Sequence, residues 1–308
     1  MTESPPRDAL TRFVFEHAAI RGALITLDTT SRAIVACHPY PPALQRVLAE
    51  LLAASALLSS TLKFTGSLIV QLQGDGPVRL LVVECNDALE LRATAQWDAE
   101  RTAALGPHAT LAELAGGATQ GRLVITLDPK GRGTIYQGIV TLETASVAGL
   151  IEHYLATSEQ LASRLVLATD SGRAAGLLVQ RLPGDDVGGE PTGNDTWAGA
   201  LACIAQVDPV MLLSPVAPQA LLAESFPHDD VRVFRPRAVD FRCTCSRERV
   251  ERALRIAGIA EIESILAERD DVVVTCEFCN REYAFAGDEA RAVFARDAPQ
   301  SPVTSPPG

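Results

Sequence analysis

Four cysteines in the final quarter of the chain are the residues whose type and spacing point most directly to chemistry. They form two short pairs, Cys243-Thr-Cys245 and Cys276-Glu-Phe-Cys279, and none of the five histidines lies between or beside them. A structural zinc ion takes four soft ligands at the corners of a tetrahedron, and two short loops can each supply two of them. The pattern therefore predicts one zinc ion held by four thiolates.

The short spacing within each pair also suggests a response to oxidants. If neighbouring thiols join, Cys243 with Cys245 and Cys276 with Cys279, each disulfide closes a very small ring, and strained disulfides are labile. Such a ring constrains the unfolded chain little, whereas zinc binding contributes on the order of 10 kcal/mol to the folding of small domains. We therefore hypothesise that oxidation releases zinc and unfolds the chain after about Asp240. A purely structural zinc site is the alternative.

The segments around the two pairs are predicted to form a small unit of helices and strands. Residues 246–257 have helical spacing of apolar side chains, with Ser246 as the capping residue and Gly258 as the stop. Segments rich in β-formers at 271–275 and 281–285 flank the second pair, which predicts a hairpin turn there. Further helices are predicted at 261–268 and from 287 to about 296. A unit of about fifty residues with so few apolar side chains usually needs a metal or disulfides to fold.

The long N-terminal part of the chain is predicted to be of mixed type. Its strongest helix spans residues 43–63, where apolar residues recur at helical spacing after two prolines. A hairpin follows at 67–73 and 78–84, and a second helix is predicted at 146–161. Further strands are predicted at 90–96, 122–127, 133–140 and 164–168. Because the strands follow one another without alternating helices, we predict an α+β fold with mostly antiparallel sheets.

A polar, glycine-rich segment at 184–195 predicts a domain boundary. Residues 196–225 are apolar again, with helical periodicity interrupted by Pro209, Pro215 and Pro218, which predicts a few short helices. Such a segment suits a metastable element that packs only while it is braced. The predicted division is an α+β core domain at 1–189, a helical linker at 190–240, a zinc domain at 241–296 and a disordered tail at 297–308.

Composition limits the classes of function. The chain has 38 acidic and 27 basic residues and a net charge of −11, which argues against a nucleic-acid partner. We find no signal peptide and no run of about 18 apolar residues that would span a membrane. We therefore expect a cytoplasmic protein without a membrane partner, in which clustered cysteines bind metal or respond to redox changes. Cys37, Cys85 and Cys203 are interpreted as buried apolar filler.

Two alternative functions follow from the cysteine region. One is a nucleic-acid-binding zinc protein, because a run of arginines surrounds the first pair, although the same residues suit a solvated helix face paired with acidic neighbours. The run consists of Arg235, Arg237, Arg242, Arg247, Arg249, Arg252 and Arg255. The other is a thiol oxidoreductase that uses Cys276 and Cys279. That chemistry favours a thiol at a helix N-terminus, whereas a strand is predicted after Cys279.

Several motifs resemble those of the redox-regulated heat shock protein 33 family, the 33-kDa chaperonins. The most specific are Val-Arg-Val-Phe-Arg-Pro-Arg at 231–237, Phe-Arg-Cys-Thr-Cys-Ser-Arg-Glu-Arg-Val at 241–250 and Val-Thr-Cys-Glu-Phe-Cys-Asn-Arg-Glu-Tyr at 274–283. Segments at 60–67, 71–77, 136–140 and 153–161 also resemble the family. The resemblance covers most of the chain, and all four cysteine positions of the family are occupied.

This resemblance implies a holdase chaperone that uses no ATP and is not an enzyme. With zinc bound to Cys243, Cys245, Cys276 and Cys279, the reduced form would be a poor chaperone. Peroxide or hypochlorous acid, often with heat, would form the disulfides Cys243–Cys245 and Cys276–Cys279, release zinc, and unfold the zinc domain and the linker. The oxidised form, typically a homodimer, would hold unfolding client proteins. It would pass them to ATP-dependent foldase chaperones once reducing conditions return.

Overall fold

The computed structural model describes residues 7–62, 65–117, 121–131, 133–143, 146–183 and 192–295. The chain divides into two compact units, Met1–Arg242 and Cys243–Gly308. Three features predicted from the sequence lie outside the described residues: most of the boundary loop at 184–195, the last residue of the helix at 43–63, and the tail at 297–308.

Two sheets form the framework of the first unit. Its strands are β1 (Ala9–Phe15), β2 (Ile20–Leu27), β3 (Gly66–Gln73), β4 (Val78–Asn86), β5 (Glu90–Trp97), β6 (Arg122–Pro129), β7 (Tyr136–Thr141), β8 (Ser163–Asp170), β9 (Arg173–Arg181), β10 (Val231–Val233), β11 (Arg237–Ala238) and β12 (Asp240–Phe241). The first sheet has the order β10-β1-β2-β9-β8, with β11 also paired to β1, and the second has the order β12-β5-β4-β3-β6-β7. Among the described pairs, β12 and β5 run parallel and the others antiparallel. The predicted α+β fold with mostly antiparallel sheets is confirmed.

The first unit has eight helices within its described residues. They are α1 (Thr29–Val35), α2 (Pro42–Thr61), α3 (Ala99–Ala104), α4 (Leu111–Ala115), α5 (Val147–Thr157), α6 (Thr192–Ile204), α7 (Pro209–Leu212) and α8 (Pro218–Ser225). Residues Leu10, Ile25 and Leu178 of the sheet pack on the α2 side. Their neighbours along the strands point the other way, because side chains alternate across a strand, and they pack against α6, α7 and α8.

Helix α2 is the centre of the main core. Its leucine and valine side chains, including Leu44, Val47 and Leu51, are buried against both sheets, and Pro42 begins the helix where a missing N–H costs nothing. By length and composition alone this helix could cross a membrane, but 72% of its apolar window is buried inside the protein. It is therefore the core helix that the periodicity predicts.

Several elements differ from the sequence prediction for physical reasons. Strands β1, β2 and β9 were not predicted, because both of their faces are buried and the alternation of polar and apolar residues is lost. The strand predicted at 133–140 begins only at Tyr136, where pairing with Leu127 starts. Helix α5 ends at Thr157 rather than 161, and Gln160 beyond it has a left-handed backbone.

Three aromatic rings hold the short helices α6–α8 onto the outer face of the first sheet. Phe226 follows α8, and its ring centroid lies 6.1 Å from that of Phe13 and 5.2 Å from that of Phe15. All three rings are buried together with Leu212, Leu221 and Leu222. The helices predicted at 196–225 therefore form one side of a second, smaller core.

The second unit has a hairpin and three helices. They are α9 (Arg247–Ala257), α10 (Ile259–Glu268), β13 (Asp271–Thr275), β14 (Glu282–Ala286) and α11 (Gly287–Ala295). Ser246 caps α9 as predicted, accepting a hydrogen bond from the Arg249 N–H. The buried apolar core is small and consists of Val250, Leu254, Ile262, Val272, Phe285, Ala290 and Val293. So few buried side chains leave this unit in need of a further stabilising constraint.

Replacing Phe226 by alanine should loosen α6–α8 without disturbing α2. Removing a buried phenylalanine costs about 3–5 kcal/mol, so amide hydrogen exchange in α7 and α8 should become faster while the exchange of α2 stays slow. The matched control is Val210→Ala on α7. Because Val210 is 71% exposed, this substitution should leave the exchange rates unchanged. Equal protection of α8 in the Phe226 variant and the wild type would contradict this packing.

Candidate metal centre

The two cysteine pairs lie in two different kinds of backbone. Cys243 and Cys245 lie in the irregular segment directly before α9, while Cys276 and Cys279 lie in the turn between β13 and β14. In that turn the Cys276 N–H donates to the Arg281 carbonyl at 2.9 Å, and the Asn280 N–H donates to the Cys276 carbonyl at 2.8 Å. The predicted hairpin turn around the second pair is confirmed, and it directs both sulfurs to one side.

The four sulfur atoms converge on one point. They all lie within 4.8 Å of one another, and contacts between the pairs measure 3.6 Å for Cys243 and Cys276 and 3.4 Å for Cys245 and Cys279. A tetrahedron with metal–sulfur bonds of about 2.3 Å separates its sulfurs by about 3.8 Å. The donor set and its spacing therefore fit one metal ion that joins the first loop to the second.

One of the four sulfurs accepts a hydrogen bond from a side chain outside the two cysteine loops. The Tyr283 hydroxyl donates to the Cys245 sulfur at 3.1 Å. Donors of this kind stabilise negative charge on the sulfur and fix the direction of a metal-ligating thiolate.

The thiols differ in their readiness to ionise. Burial raises the pKa of Cys243 and of Cys279, and for Cys279 the neighbouring thiols raise it further. Burial opposes ionisation of Cys245 as well, but hydrogen bonds from Tyr283 and the other thiols outweigh it and lower its pKa to about 7. Four thiolates can share so small a space only beside a cation that offsets their repulsion.

Arginines around the first pair make their contacts within the fold. Arg247 donates to the Ala284 carbonyl at 3.0 Å and to Glu289 at 2.9 Å, and its guanidinium lies over the Phe285 ring. Arg255 donates to the Val293 carbonyl at 3.0 Å. These contacts support the interpretation of the basic run as part of the folded surface rather than as a nucleic-acid site.

The position of the second pair also bears on the oxidoreductase alternative. Cys276 lies at the end of a strand, and β14 begins at Glu282, shortly after Cys279. A thiol there receives no stabilisation from a helix N-terminus, which that chemistry favours. Sequence reasoning missed Tyr283 as a neighbour of the site. The signal available was its place opposite Val274 in the hairpin, which spacing within the cysteine motifs does not reveal.

Comparison with known proteins places the chain in a family. The family model described as Hsp33 protein matches residues 8–286. The chain belongs to the Hsp33 family. This confirms the resemblance of the sequence motifs. Hsp33 proteins are chaperones and not enzymes, so membership supports a chaperone function for this chain.

Relatives and a solved structure agree with the Hsp33 assignment. The 33 kDa chaperonin of Nitrosococcus oceani is 41% identical over 299 residues, covering 97% of this chain and 98% of the relative. That of Methylobacillus flagellatus is 39% identical over 291 residues, covering 94% and 95%. The crystal structure of the 33 kDa chaperonin from Thermotoga maritima is 20% identical, covers 94% of this chain and 100% of its own, and has a TM-score of 0.77. This Hsp33 chain therefore shares the fold of that protein.

Replacing Cys276 by serine should abolish stable metal binding. A serine hydroxyl is a poor ligand for a soft site, so the metal content of the purified reduced protein should fall from one ion per chain toward zero after dialysis against a chelator. The matched control is Cys37→Ser in the first unit, which should keep a full equivalent of metal. Unchanged metal content in the Cys276 variant would contradict the four-thiolate site.

Proposed function

We propose that this Hsp33 protein is a redox-regulated holdase chaperone, inactive while reduced and bound to zinc. The observation that carries the proposal is the convergence of four thiols from two loops onto one point of a unit with a small core. A site that supplies most of the stability of its unit makes the fold of that unit depend on the redox state of sulfur. Family membership supports the chaperone part of the proposal.

Zinc is the metal we propose, bound as one ion by Cys243, Cys245, Cys276 and Cys279. Four thiolates in a closed tetrahedron are the ligand set of structural zinc sites. When bound, the ion supplies charge compensation and a link between the two loops. The turn between β13 and β14 orients the second pair of sulfurs, and the Tyr283 hydroxyl orients the sulfur of Cys245.

Oxidation converts the four proposed metal ligands into disulfides, one disulfide for each cysteine pair. We propose that Cys243 joins Cys245 and that Cys276 joins Cys279. In each pair two thiolates give up two electrons and form one S–S bond, and one peroxide takes up these electrons with two protons and leaves as two waters. Two peroxides and four protons are therefore consumed per chain. Each new bond lies within one loop, so oxidation ends the link between loops and the zinc is no longer held.

Loss of that link should unfold the second unit and then free the linker helices. The proposed divisions are the core at 1–189, the linker at 190–240 and the zinc domain at 241–296. Helices α6–α8 cover an apolar face of the first sheet that includes Phe13, Phe15 and Ile20. Once uncovered, a contiguous apolar face of this kind binds apolar segments of unfolding proteins. Such binding requires no ATP, because it is driven by burial of apolar surface.

The remaining partners are proposed from the family resemblance. The oxidised form would be a cytoplasmic homodimer with no membrane or nucleic-acid partner. Its clients would be unfolding or aggregation-prone proteins, which return to ATP-dependent foldase chaperones when reductant is restored.

Peroxide should release zinc and create chaperone activity in the same protein sample. With ATP absent, zinc released to a chromogenic indicator should approach one ion per chain as the four thiols are consumed. Suppression of aggregation of a heat-unfolded client should rise in parallel. A variant with Cys37 and Cys203 replaced by serine, and the buried Cys85 replaced by alanine, is the matched control and should release zinc and suppress aggregation like the wild type. Zinc retained after the thiols are exhausted would refute the switch, and zinc release without suppression would refute the chaperone activity.

Metal removal under reducing conditions should unfold the second unit while the first unit stays folded. A strong chelator with excess reductant should unfold residues 243–295, because their small core cannot hold the two loops without the ion. The buried strands of the first unit should keep their protection. Hydrogen exchange measured by mass spectrometry reports both regions together. Slow exchange in β13 and β14 after complete metal removal would contradict the proposed dependence on metal.

A further inference from the structure

Tyr283 occupies a distinctive place beside the cysteine cluster. It lies on β14 directly opposite Val274 of β13, and its ring packs against the core of the second unit. From this packed ring the hydroxyl reaches the Cys245 sulfur at 3.1 Å. The hydroxyl is therefore presented by a rigid hairpin, so the donor position is fixed by the fold rather than by a flexible loop.

The donor to Cys245 comes from a different part of the unit. Cys245 lies in the irregular segment before α9, whereas Tyr283 lies on β14. The Cys245 sulfur accepts the hydrogen bond from the phenol hydroxyl of that strand residue. This hydrogen bond therefore depends on one residue type, and it ties the first cysteine loop to the hairpin that carries the second.

Arg281 places a positive charge beside the same contact. Its guanidinium interacts electrostatically with Tyr283, Cys245 and Cys279. A guanidinium close to a phenol polarises the O–H and so strengthens the hydrogen bond that the phenol donates. The arrangement withdraws negative charge from the Cys245 sulfur without forming a covalent bond to it.

We propose that Tyr283 is a positioning residue that holds Cys245 in place as a metal ligand and lowers its reactivity toward oxidants. This inference rests on the proposed zinc switch. A hydrogen bond to a ligating thiolate fixes its orientation, and loss of such a partner typically costs 10–100-fold in metal affinity. The same bond reduces the electron density that the sulfur can offer to a peroxide. Tyr283 thereby raises the amount of oxidant needed to open the site.

The first test is Tyr283→Phe, which keeps the ring and its packing and removes only the hydroxyl. Competition with a chelator should show zinc affinity reduced about 10–100-fold, and zinc release by a fixed dose of peroxide should be faster than in the wild type. The matched control is Tyr136→Phe in the first unit, where the side chain is 44% exposed. The control should match the wild type in both measurements. Wild-type zinc affinity and release rate in the Tyr283 variant would overturn the proposal.

A spectroscopic test separates positioning from packing. In the reduced protein loaded with Co²⁺, the sulfur-to-metal charge-transfer band should move to longer wavelength in Tyr283→Phe, because the sulfur becomes richer in electrons. Incorporation of 3-fluorotyrosine makes the phenol a stronger donor while keeping the fold, and should move the band to shorter wavelength. The same labelling in the Tyr283→Phe background should have no effect. A band that stays in place in both proteins would overturn the proposal.

These results are distinguishable from failure of the switch itself. If wild-type protein keeps its zinc after peroxide exhausts the thiols, the proposed function fails, whatever Tyr283 does to the cobalt spectrum. If wild-type protein releases zinc and Tyr283→Phe matches it in affinity, rate and spectrum, the switch stands and the role of Tyr283 is refuted.

Discussion

The convergence of four sulfurs within 4.8 Å of one another is the constraint on which the proposed switch depends. Burial raises the pKa of Cys279, and the neighbouring thiols raise it further, because each thiolate in such a cluster raises the cost of ionising the next. A bound soft cation would offset this repulsion and make the same sulfurs a link between the two loops. The small apolar core would then orient the loops without having to hold them together.

The two faces of the first sheet are covered by helices of different length. On one face it meets α2, a twenty-residue helix that is buried against both sheets. On the other it meets three shorter helices, two of which begin at Pro209 and Pro218. Interruption by proline divides the apolar contact into small pieces that can separate one at a time. In the proposed switch, one face of this sheet would remain part of the main core while the other would become the surface that binds clients.

Much of the fold and the cysteine cluster could be predicted from sequence, because both depend on local patterns. Helical spacing identified α2, and the β-rich segments around Cys276 and Cys279 identified the hairpin. Strands β1, β2 and β9 were missed because burial on both faces removes the alternation that identifies a strand. The contact of Tyr283 with Cys245 was missed because it depends on strand register and tertiary packing, which motif spacing does not encode.

Strands β10, β11 and β12 fasten the chain to both sheets just before the first cysteine. Arg242 adds an ion pair with Glu90 at 2.6 Å, and β9 holds the chain ahead of α6. Helices α6–α8 lie between β9 and β10, two strands of the first sheet, so detachment of the helices alone would leave both of their ends tethered to that sheet. The entropy of closing a loop grows only with the logarithm of its length. In the proposed switch, a client on the apolar face would compete with helices held at high effective concentration, so the tethering of the chain would assist client release.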